Sequence, residues 1–264
     1  MRTNHEIDFR IYGEEMQCVE VELDPQETVI AEAGSFMYMD QGVQMETIFG
    51  DGSNTGGTGF FNKLMGAGKR LLTGESLFMT AFTHTGGGKA KVAFASPYPG
   101  KIIPLDLQRL GGKIICQKDS FLCAAKGISV GIEFQRKLGT GLFGGEGFIM
   151  QKLEGDGMAF CHAGGHIIER ELQPGEVLRV DTGCVVAYTS QIDFDIQFVG
   201  GIKNTLFGGE GFFFAQLRGP GKVWLQTLPI ARLASRIVSY GSGSRKEEGS
   251  ILGGLGNLLD GDGY

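Results

Sequence analysis

Several features that mark membrane, secreted and metal-binding proteins are missing from this chain. No apolar run approaches the roughly 20 residues that a membrane-spanning helix needs. The first ten residues carry charges at Arg2, Glu6, Asp8 and Arg10 and show no apolar core of a secretory signal. The five cysteines form no Cys-x-x-Cys pair, which indicates reduced thiols. We therefore expect a soluble, cytoplasmic protein that contacts membranes, if at all, only at their surface.

Signatures of catalysis are also scarce. There is no Walker A phosphate loop and no Gly-x-Ser-x-Gly elbow, and four histidines offer few bases for a catalytic triad. Residues 139–144 match the Gly-x-Gly-x-x-Gly dinucleotide fingerprint, but a strand pattern follows where that fingerprint needs a helix. We expect neither enzyme activity nor a cofactor.

The charge balance argues against nucleic acid as a partner. The net charge is −6, and Trp224 is the single tryptophan. Binding to RNA requires positive groups, and single strands also require stacking aromatics at repeated positions. No nucleic-acid partner is therefore expected.

Glycine is present in excess, with 45 residues among 264. Glycine weakens helix interiors and fills the positive-φ positions of turns. Apolar and polar residues alternate with a period of two over residues 19–23, 130–134 and 192–198. This alternation is typical of antiparallel strands with one buried face. The sequence predicts an all-β protein of short strands and tight turns.

An internal repeat organises the chain. The seven residues LFGGEGF at 142–148 recur letter for letter 64 positions later, at 206–212. A weaker copy occupies residues 72–78. The repeat predicts three antiparallel β-sandwich or double-stranded β-helix-like units around a pseudo-threefold axis. The units cover about 1–100, 101–164 and 165–228 within a single β body over 1–240.

The last part of the chain has a different pattern. Ile230, Leu233 and Ile237 lie at helical spacing after Pro229, which predicts a short helix over about 230–239. Residues 241–264 are small, polar or Gly/Leu-rich. They predict a flexible tail.

Three glutamates, Glu75, Glu146 and Glu210, occupy equivalent places in the three copies. Carboxylates that converge near a pseudo-threefold axis could hold a hard cation such as Ca²⁺ or Mg²⁺. Alternatively, each carboxylate accepts backbone N–H bonds in its own turn or pairs with basic residues just upstream. The flanking glycines favour this turn role.

Cys161, His162 and His166 form the single Cys/His cluster of the sequence. A thiolate and two imidazoles are suitable ligands for zinc. The equivalent positions of the third copy hold Leu, Gln and Ile, so the repeat does not require these residues. A structural turn is the favoured interpretation.

The segment 60–72 is the best candidate for contact with a partner or a membrane. Phe60, Phe61 and Leu64 can share a face opposite Lys69 and Arg70, as in a helix that lies on anionic lipid. The alternative is a plug that covers one mouth of the β body. We favour the plug because large apolar patches are seldom left exposed.

Three features together resemble the altered inheritance of mitochondria family: the Gly-Glu turn before an apolar strand at 74–78 and its copies, the Gly-rich insertion before that turn, and the Gly/Leu-rich tail. The bacterial branch of this family consists of uncharacterised proteins, and eukaryotic members are mitochondrial and linked to inner-membrane organisation. The resemblance implies a fold similar to the tryptophan RNA-binding attenuation protein. It also implies three units per chain and homotrimers that form a nine-unit ring, and it supplies no catalytic residues.

The leading hypothesis is a non-enzymatic scaffold or interaction protein that forms ring-like homo-oligomers, with the trimer favoured. One alternative is a peripheral membrane protein that uses residues 60–72 and the tail. Another is a small-ligand or metal-binding β-barrel centred on the glutamates or on His162 and His166.

Overall fold

A computed structural model of the chain describes residues 3–32, 34–49, 78–136, 148–199 and 212–242. These ranges contain nineteen β-strands and one α-helix, so the predicted all-β class is confirmed and the short helix after Pro229 is found. In chain order the elements are β1 (Asp8–Tyr12), β2 (Cys18–Leu23), β3 (Thr28–Glu32), β4 (Phe36–Met39), β5 (Val43–Phe49), β6 (Phe78–His84), β7 (Ala90–Ala95), β8 (Gly100–Asp106), β9 (Lys113–Gln117), β10 (Phe121–Ala125), β11 (Ser129–Arg136), β12 (Phe148–Glu154), β13 (Met158–Gly164), β14 (Ile167–Leu172), β15 (Val177–Asp181), β16 (Val185–Thr189), β17 (Asp193–Val199), β18 (Phe212–Arg218), β19 (Gly221–Gln226) and α1 (Ile230–Ser242). The chain divides into two compact units, Met1–Pro229 and Ile230–Tyr264.

The described strands form four antiparallel sheets. The N-terminal sheet has the order β1-β2-β7-β4, and the C-terminal sheet has the order β15-β18-β17. The other two are the first six-stranded sheet, β5-β6-β3-β10-β13-β8, and the second six-stranded sheet, β11-β12-β9-β16-β19-β14. The alternation read from the sequence is visible in β2, where Val19, Val21 and Leu23 are fully buried and the residues between them are partly exposed.

The two six-stranded sheets have the same strand order, displaced by six strands along the chain. By the same displacement, the C-terminal sheet corresponds to β5-β6-β3. The N-terminal sheet corresponds to β10-β13-β8 with β1 added at its edge. The two smaller sheets therefore correspond to the two parts of one six-stranded sheet, and these parts lie at opposite ends of the chain sequence.

A bulge recurs at the second residue of the corresponding strands β4, β10 and β16. The register against the neighbouring strand shifts between Phe36 and Tyr38, between Phe121 and Cys123, and between Val185 and Ala187. A bulge bends its strand and increases the local twist. Its recurrence gives a residue-level alignment of the three strands.

Two clusters of buried side chains form the core. The larger one includes Phe82 and Phe94, whose rings meet edge to face with centroids 5.1 Å apart. The smaller one surrounds Phe148, whose ring is stacked on that of Phe194 at 6.1 Å. Aromatic pairs of this kind add to the free energy of burial.

The segment before β1 is held by hydrogen bonds to distant turns. The Asn4 N–H donates to the Asp156 carboxylate, and the Asn4 side-chain oxygen accepts from the Asp156 N–H, both at 2.8 Å. His5 Nδ1 accepts from the Thr28 N–H at 2.9 Å, and the His5 N–H donates to the Lys126 carbonyl at 3.1 Å. The segment therefore lies against β3 and the turn that follows β10.

Replacement of Asn4 by alanine should lower the free energy of unfolding by about 1–2 kcal/mol, because it leaves a backbone N–H of the β12–β13 turn without its partner. Urea denaturation measures this change, and hydrogen exchange should become faster at residues 3–7. Replacement of the exposed Thr3 by alanine is the control and should change stability less. Equal effects of the two substitutions would contradict the role given to Asn4.

Candidate functional site

Two strands at the edges of the smaller sheets expose apolar side chains. Within the described ranges, β4 pairs only with β7 and β15 pairs only with β18. All of β4 is exposed, with 42, 55, 40 and 37% of the surface of Phe36, Met37, Tyr38 and Met39 accessible. Val177 at the start of β15 is 43% exposed. Apolar edges of this kind are templates for pairing with another strand.

The strands that correspond to β4 and β15 in the complete sheets are buried. β10 and β16 are buried along their whole length, and β3 and β9 are each buried at four of five residues. In those sheets β10 pairs with β3, and β16 pairs with β9. β4 and β15 therefore correspond to the two central, paired strands of a six-stranded sheet. In the smaller sheets these two strands lie at exposed edges.

Backbone groups on both edges point away from their own sheets. The Asp40 N–H donates to a β7 carbonyl at 2.9 Å, so the N–H of Met39, the residue before it, points away from β7. The Gly219 N–H donates to the Glu176 carbonyl at 2.9 Å, which directs the Arg179 N–H away from β18 by the same alternation. Each edge therefore presents a row of backbone donors and acceptors in the manner of an unpaired strand.

A polar network holds the β4 edge in place. The Tyr38 hydroxyl donates to one Glu20 carboxylate oxygen, and Lys91 Nζ donates to the other at 2.8 Å. These hydrogen bonds, first that from Lys91, lower the pKa of Glu20, and the bond to Glu20 raises the pKa of Tyr38 to about 12. The Tyr38 hydroxyl is therefore tied to Glu20 of β2.

The structure does not bring Cys161, His162 and His166 together as a ligand set. Cys161 and His162 are consecutive in β13, so their side chains point to opposite faces of the sheet. The Cys161 thiol lies beside that of Cys116, and this contact together with burial raises the pKa of Cys116. His166 lies in the exposed connection to β14. No group of three His, Cys, Asp or Glu residues suited to a metal occurs in the part of the chain that the structure describes.

His162 is a buried imidazole, and in the described structure neither ring nitrogen has a hydrogen bond of good geometry, although the Tyr98 backbone lies close to it. It is 2% exposed, and its ring meets Tyr98 edge to face at 4.5 Å. Burial lowers the pKa of His162 to about 4. The corresponding residue of β19, Gln226, bridges the Gly164 N–H and the Gly183 carbonyl at 2.8 Å each. His162 therefore stays neutral at ordinary pH and cannot easily accept a proton.

Glu32, at the end of β3, is a titratable residue that sequence reasoning missed. Burial raises its pKa to about 7, and the nearby carboxylate of Asp119 adds to the shift. The residue alternation around Glu32 predicts an ordinary exposed carboxylate. Its burial results from the 3₁₀ turn Lys118–Ser120, which approaches it from more than 80 positions further along the chain.

The remaining candidate residues fall outside the described residues. These are the glutamates Glu75, Glu146 and Glu210 and the segment that contains Phe60, Phe61, Leu64, Lys69 and Arg70. The cation site, the turn role, the plug and the lipid contact therefore stay predictions. Within the described ranges, no helix has both the length and the apolar character to cross a bilayer.

Comparisons with known proteins place the chain in one family. The family model described as mitochondrial biogenesis AIM24 matches residues 9–228. An uncharacterized protein of Streptococcus pyogenes serotype M6 is 31% identical over 226 residues, which is 84% of this chain and 86% of that protein. The X-ray crystal structure of another Streptococcus pyogenes protein, a structural genomics target, is similar with a TM-score of 0.69 and 26% identity over 89% of this chain and 100% of that one. The chain therefore belongs to the AIM24 family, as the resemblance in its sequence predicted.

Proposed function

We propose that this protein is a non-enzymatic scaffold whose chains join head to tail into a closed ring. In this arrangement β15 of one chain pairs with β4 of the next. The joined sheet has the order β17-β18-β15-β4-β7-β2, which is the order of the two six-stranded sheets, with β1 added at its edge. One observation carries the proposal: the two smaller sheets of the chain, placed side by side, reproduce the strand order of a six-stranded sheet.

The complete sheets supply the register of the proposed joint. Ala124 of β10 lies opposite Ile30 of β3, and Tyr188 of β16 lies opposite Ile115 of β9. The recurring bulge aligns Met39 of β4 with Ala124 and Tyr188. The correspondence of β15 with β3 and β9 aligns Arg179 with Ile30 and Ile115.

Met39 is therefore placed opposite Arg179 of the neighbouring chain. The same register sets Tyr38 opposite Val180. Both Met39 and Arg179 direct their N–H groups away from their own sheets, so the two can form a hydrogen-bonded pair across the joint.

A joint of this type uses a different surface on each partner, so it must either close into a ring or continue as a filament. Each chain would supply two complete sheets and the two parts of a third, which corresponds to three repeated units. We propose the homotrimer with nine sheets, in keeping with the ring of the tryptophan RNA-binding attenuation protein that the family resemblance implies. The free, buried thiols of Cys116, Cys123 and Cys161 support a reducing location such as the cytoplasm.

The mass in solution tests the assembly. Size-exclusion chromatography with light scattering at micromolar concentration should give a single species of three times the chain mass of 28.4 kDa. A mass that grows without limit would indicate a filament, and a strict monomer would contradict the scaffold.

A further inference from the structure

Four methionines in the described ranges have more than a third of their surface accessible. Met37 and Met39 lie in β4 and are 55 and 37% exposed. Met16 lies in the connection between β1 and β2 and is 67% exposed, and Met45 lies in β5 and is 58% exposed. Methionine is among the residue types most often buried in proteins, so two exposed methionines within one four-residue strand are unusual.

Met37 occupies a position that is buried in the two complete sheets. It is the second residue of β4, where the register shifts, and it corresponds to Leu122 of β10 and Val186 of β16. Leu122 is 3% exposed and Val186 is fully buried, and both belong to the larger core cluster. The chain therefore places an apolar side chain at this bulge three times, and Met37 is the one that is accessible in the single chain.

Met39 shows the same contrast. The residues that correspond to it are Ala124, which is fully buried, and Tyr188, which is 5% exposed. In the proposed ring, β15 of the next chain covers β4, as β3 covers β10 in the first six-stranded sheet. Both thioethers of β4 would then lie in the joint, in surroundings that are apolar at the corresponding positions.

Oxidation changes a thioether from an apolar to a polar group. Hydrogen peroxide transfers one oxygen atom to the sulfur: the O–O bond breaks, an S–O bond forms and water is released, so sulfur loses the two electrons that peroxide gains. The sulfoxide oxygen accepts hydrogen bonds from water while β4 is an exposed edge. Burial in the joint would remove this water, and a buried polar group without a partner is destabilising.

We propose that Met37 and Met39 are a site of reversible oxidation by peroxides that controls assembly. The sulfoxide form stays folded as a single chain, because both side chains are accessible there, but it does not join β15 of a neighbour. Methionine sulfoxide reductases, which oxidise two thiols to a disulfide and release the oxygen as water, return the thioether and restore the joint. The inference rests on the proposed function, since it assumes the pairing of β4 with β15.

Peroxide treatment of dilute protein, followed by peptide mass spectrometry and by light scattering after re-concentration, tests the modification. Met37 and Met39 should each gain one oxygen atom, and the mass should fall from three chains to the single chain of 28.4 kDa. Methionine sulfoxide reductases with dithiothreitol should restore the trimer. Dithiothreitol alone, which reverses cysteine sulfenic acids and disulfides, should not. An oxidised protein of unchanged mass, or a Met37 that stays unmodified while Met16 and Met45 are oxidised, would overturn the proposal.

Variants separate this effect from general oxidative damage. Met37→Gln places a polar side chain of similar length in the joint without any oxidant and should weaken association by roughly ten- to hundredfold. Met45→Gln makes the same change at an equally exposed position of β5 and should keep the trimer. The double variant Met37→Leu, Met39→Leu carries no sulfur on β4, and leucine already occupies the corresponding bulge of β10. It should assemble and keep its mass after peroxide treatment.

The outcomes distinguish this inference from the proposed function. An untreated protein that is already a single chain would contradict the ring itself. A ring that tolerates Met37→Gln, or a leucine double variant that peroxide still dissociates, would contradict the oxidation control alone.

Discussion

Replacement of Met39 by proline is expected to convert the proposed ring into monomers of 28.4 kDa. The Met39 N–H points away from β7, so its loss leaves the pairing of β4 within its own sheet intact. Proline cannot donate the hydrogen bond that the proposed partner strand needs, and edge positions are where a sheet tolerates it. Light scattering after size exclusion measures the mass.

Arg179→Pro makes the same change on the other edge and should also give a monomer. The two variants carry complementary defects, because the Met39 variant keeps an intact β15 edge and the Arg179 variant keeps an intact β4 edge. An equimolar mixture should therefore form a heterodimer through one normal joint. A joint that used the same surface on both partners would not give this complementation.

Glu171→Pro is the matched control. Glu171 is an exposed residue of β14, an edge strand of the second six-stranded sheet. The Thr227 N–H donates to the His166 carbonyl, which directs the Glu171 N–H away from β19 in the same way. This variant should keep the oligomeric mass of the original protein. If all three proline variants remain assembled, the interface does not lie at β4 and β15.

The second large effect concerns how the free energy of unfolding depends on pH. His162 and Glu32 should make opposite contributions to this dependence. The pKa of His162 is lowered from 6.5 to about 4 by burial. As the pH falls through this interval, the unfolded chain binds a proton that the folded chain does not. The free energy of unfolding should therefore fall by about 1.4 kcal/mol per pH unit, which is roughly 3 kcal/mol over the interval.

Glu32 has the reverse effect. Its pKa is raised from 4.5 to about 7, first by burial and then by Asp119. Between these values the folded chain holds a proton that the unfolded chain has released, so stability is lost as the pH rises toward 7. The two slopes have opposite signs between pH 4.5 and 6.5, and we expect them nearly to cancel in the original protein.

Single variants should separate the two contributions. In Glu32→Gln, stability should fall as the pH is lowered from about 6.5 to 4, whereas in His162→Gln it should rise as the pH is lowered from about 7 to 4.5. His5, with a lowered pKa, and Glu27, with a raised one, are present in every variant, so the comparison isolates the two substituted groups. Urea denaturation at one protein concentration measures the curves. Parallel curves for the two variants would contradict this assignment.

The sequence predicted what depends on neighbouring residues. The alternation of Val19, Val21 and Leu23 indicated a half-buried strand because side chains of a strand point to opposite faces whatever the partner strands are. The spacing after Pro229 indicated a helix for a similar local reason. The family match followed from turn and tail motifs that can be read directly along the chain.

The candidate interface shows where sequence reasoning ends. Residues 36–39, FMYM, form a short apolar run, and such a run is typical of a buried strand. The strands that correspond to it, β10 and β16, are buried as that pattern predicts. β4 is exposed, and the strand that corresponds to the covering strands β3 and β9 of the complete sheets is β15, which belongs to the C-terminal sheet.

The sequence by itself determined the strand-rich class, the half-buried faces, the helix after Pro229 and the family. Tertiary structure alone decided which strands pair, which edges stay exposed, and how His162 and Glu32 are surrounded. The physical reason is the separation along the chain of the groups that interact. Alternation and turn chemistry act over a few residues, whereas pairing, burial and pKa depend on groups that are brought together from distant parts of the chain.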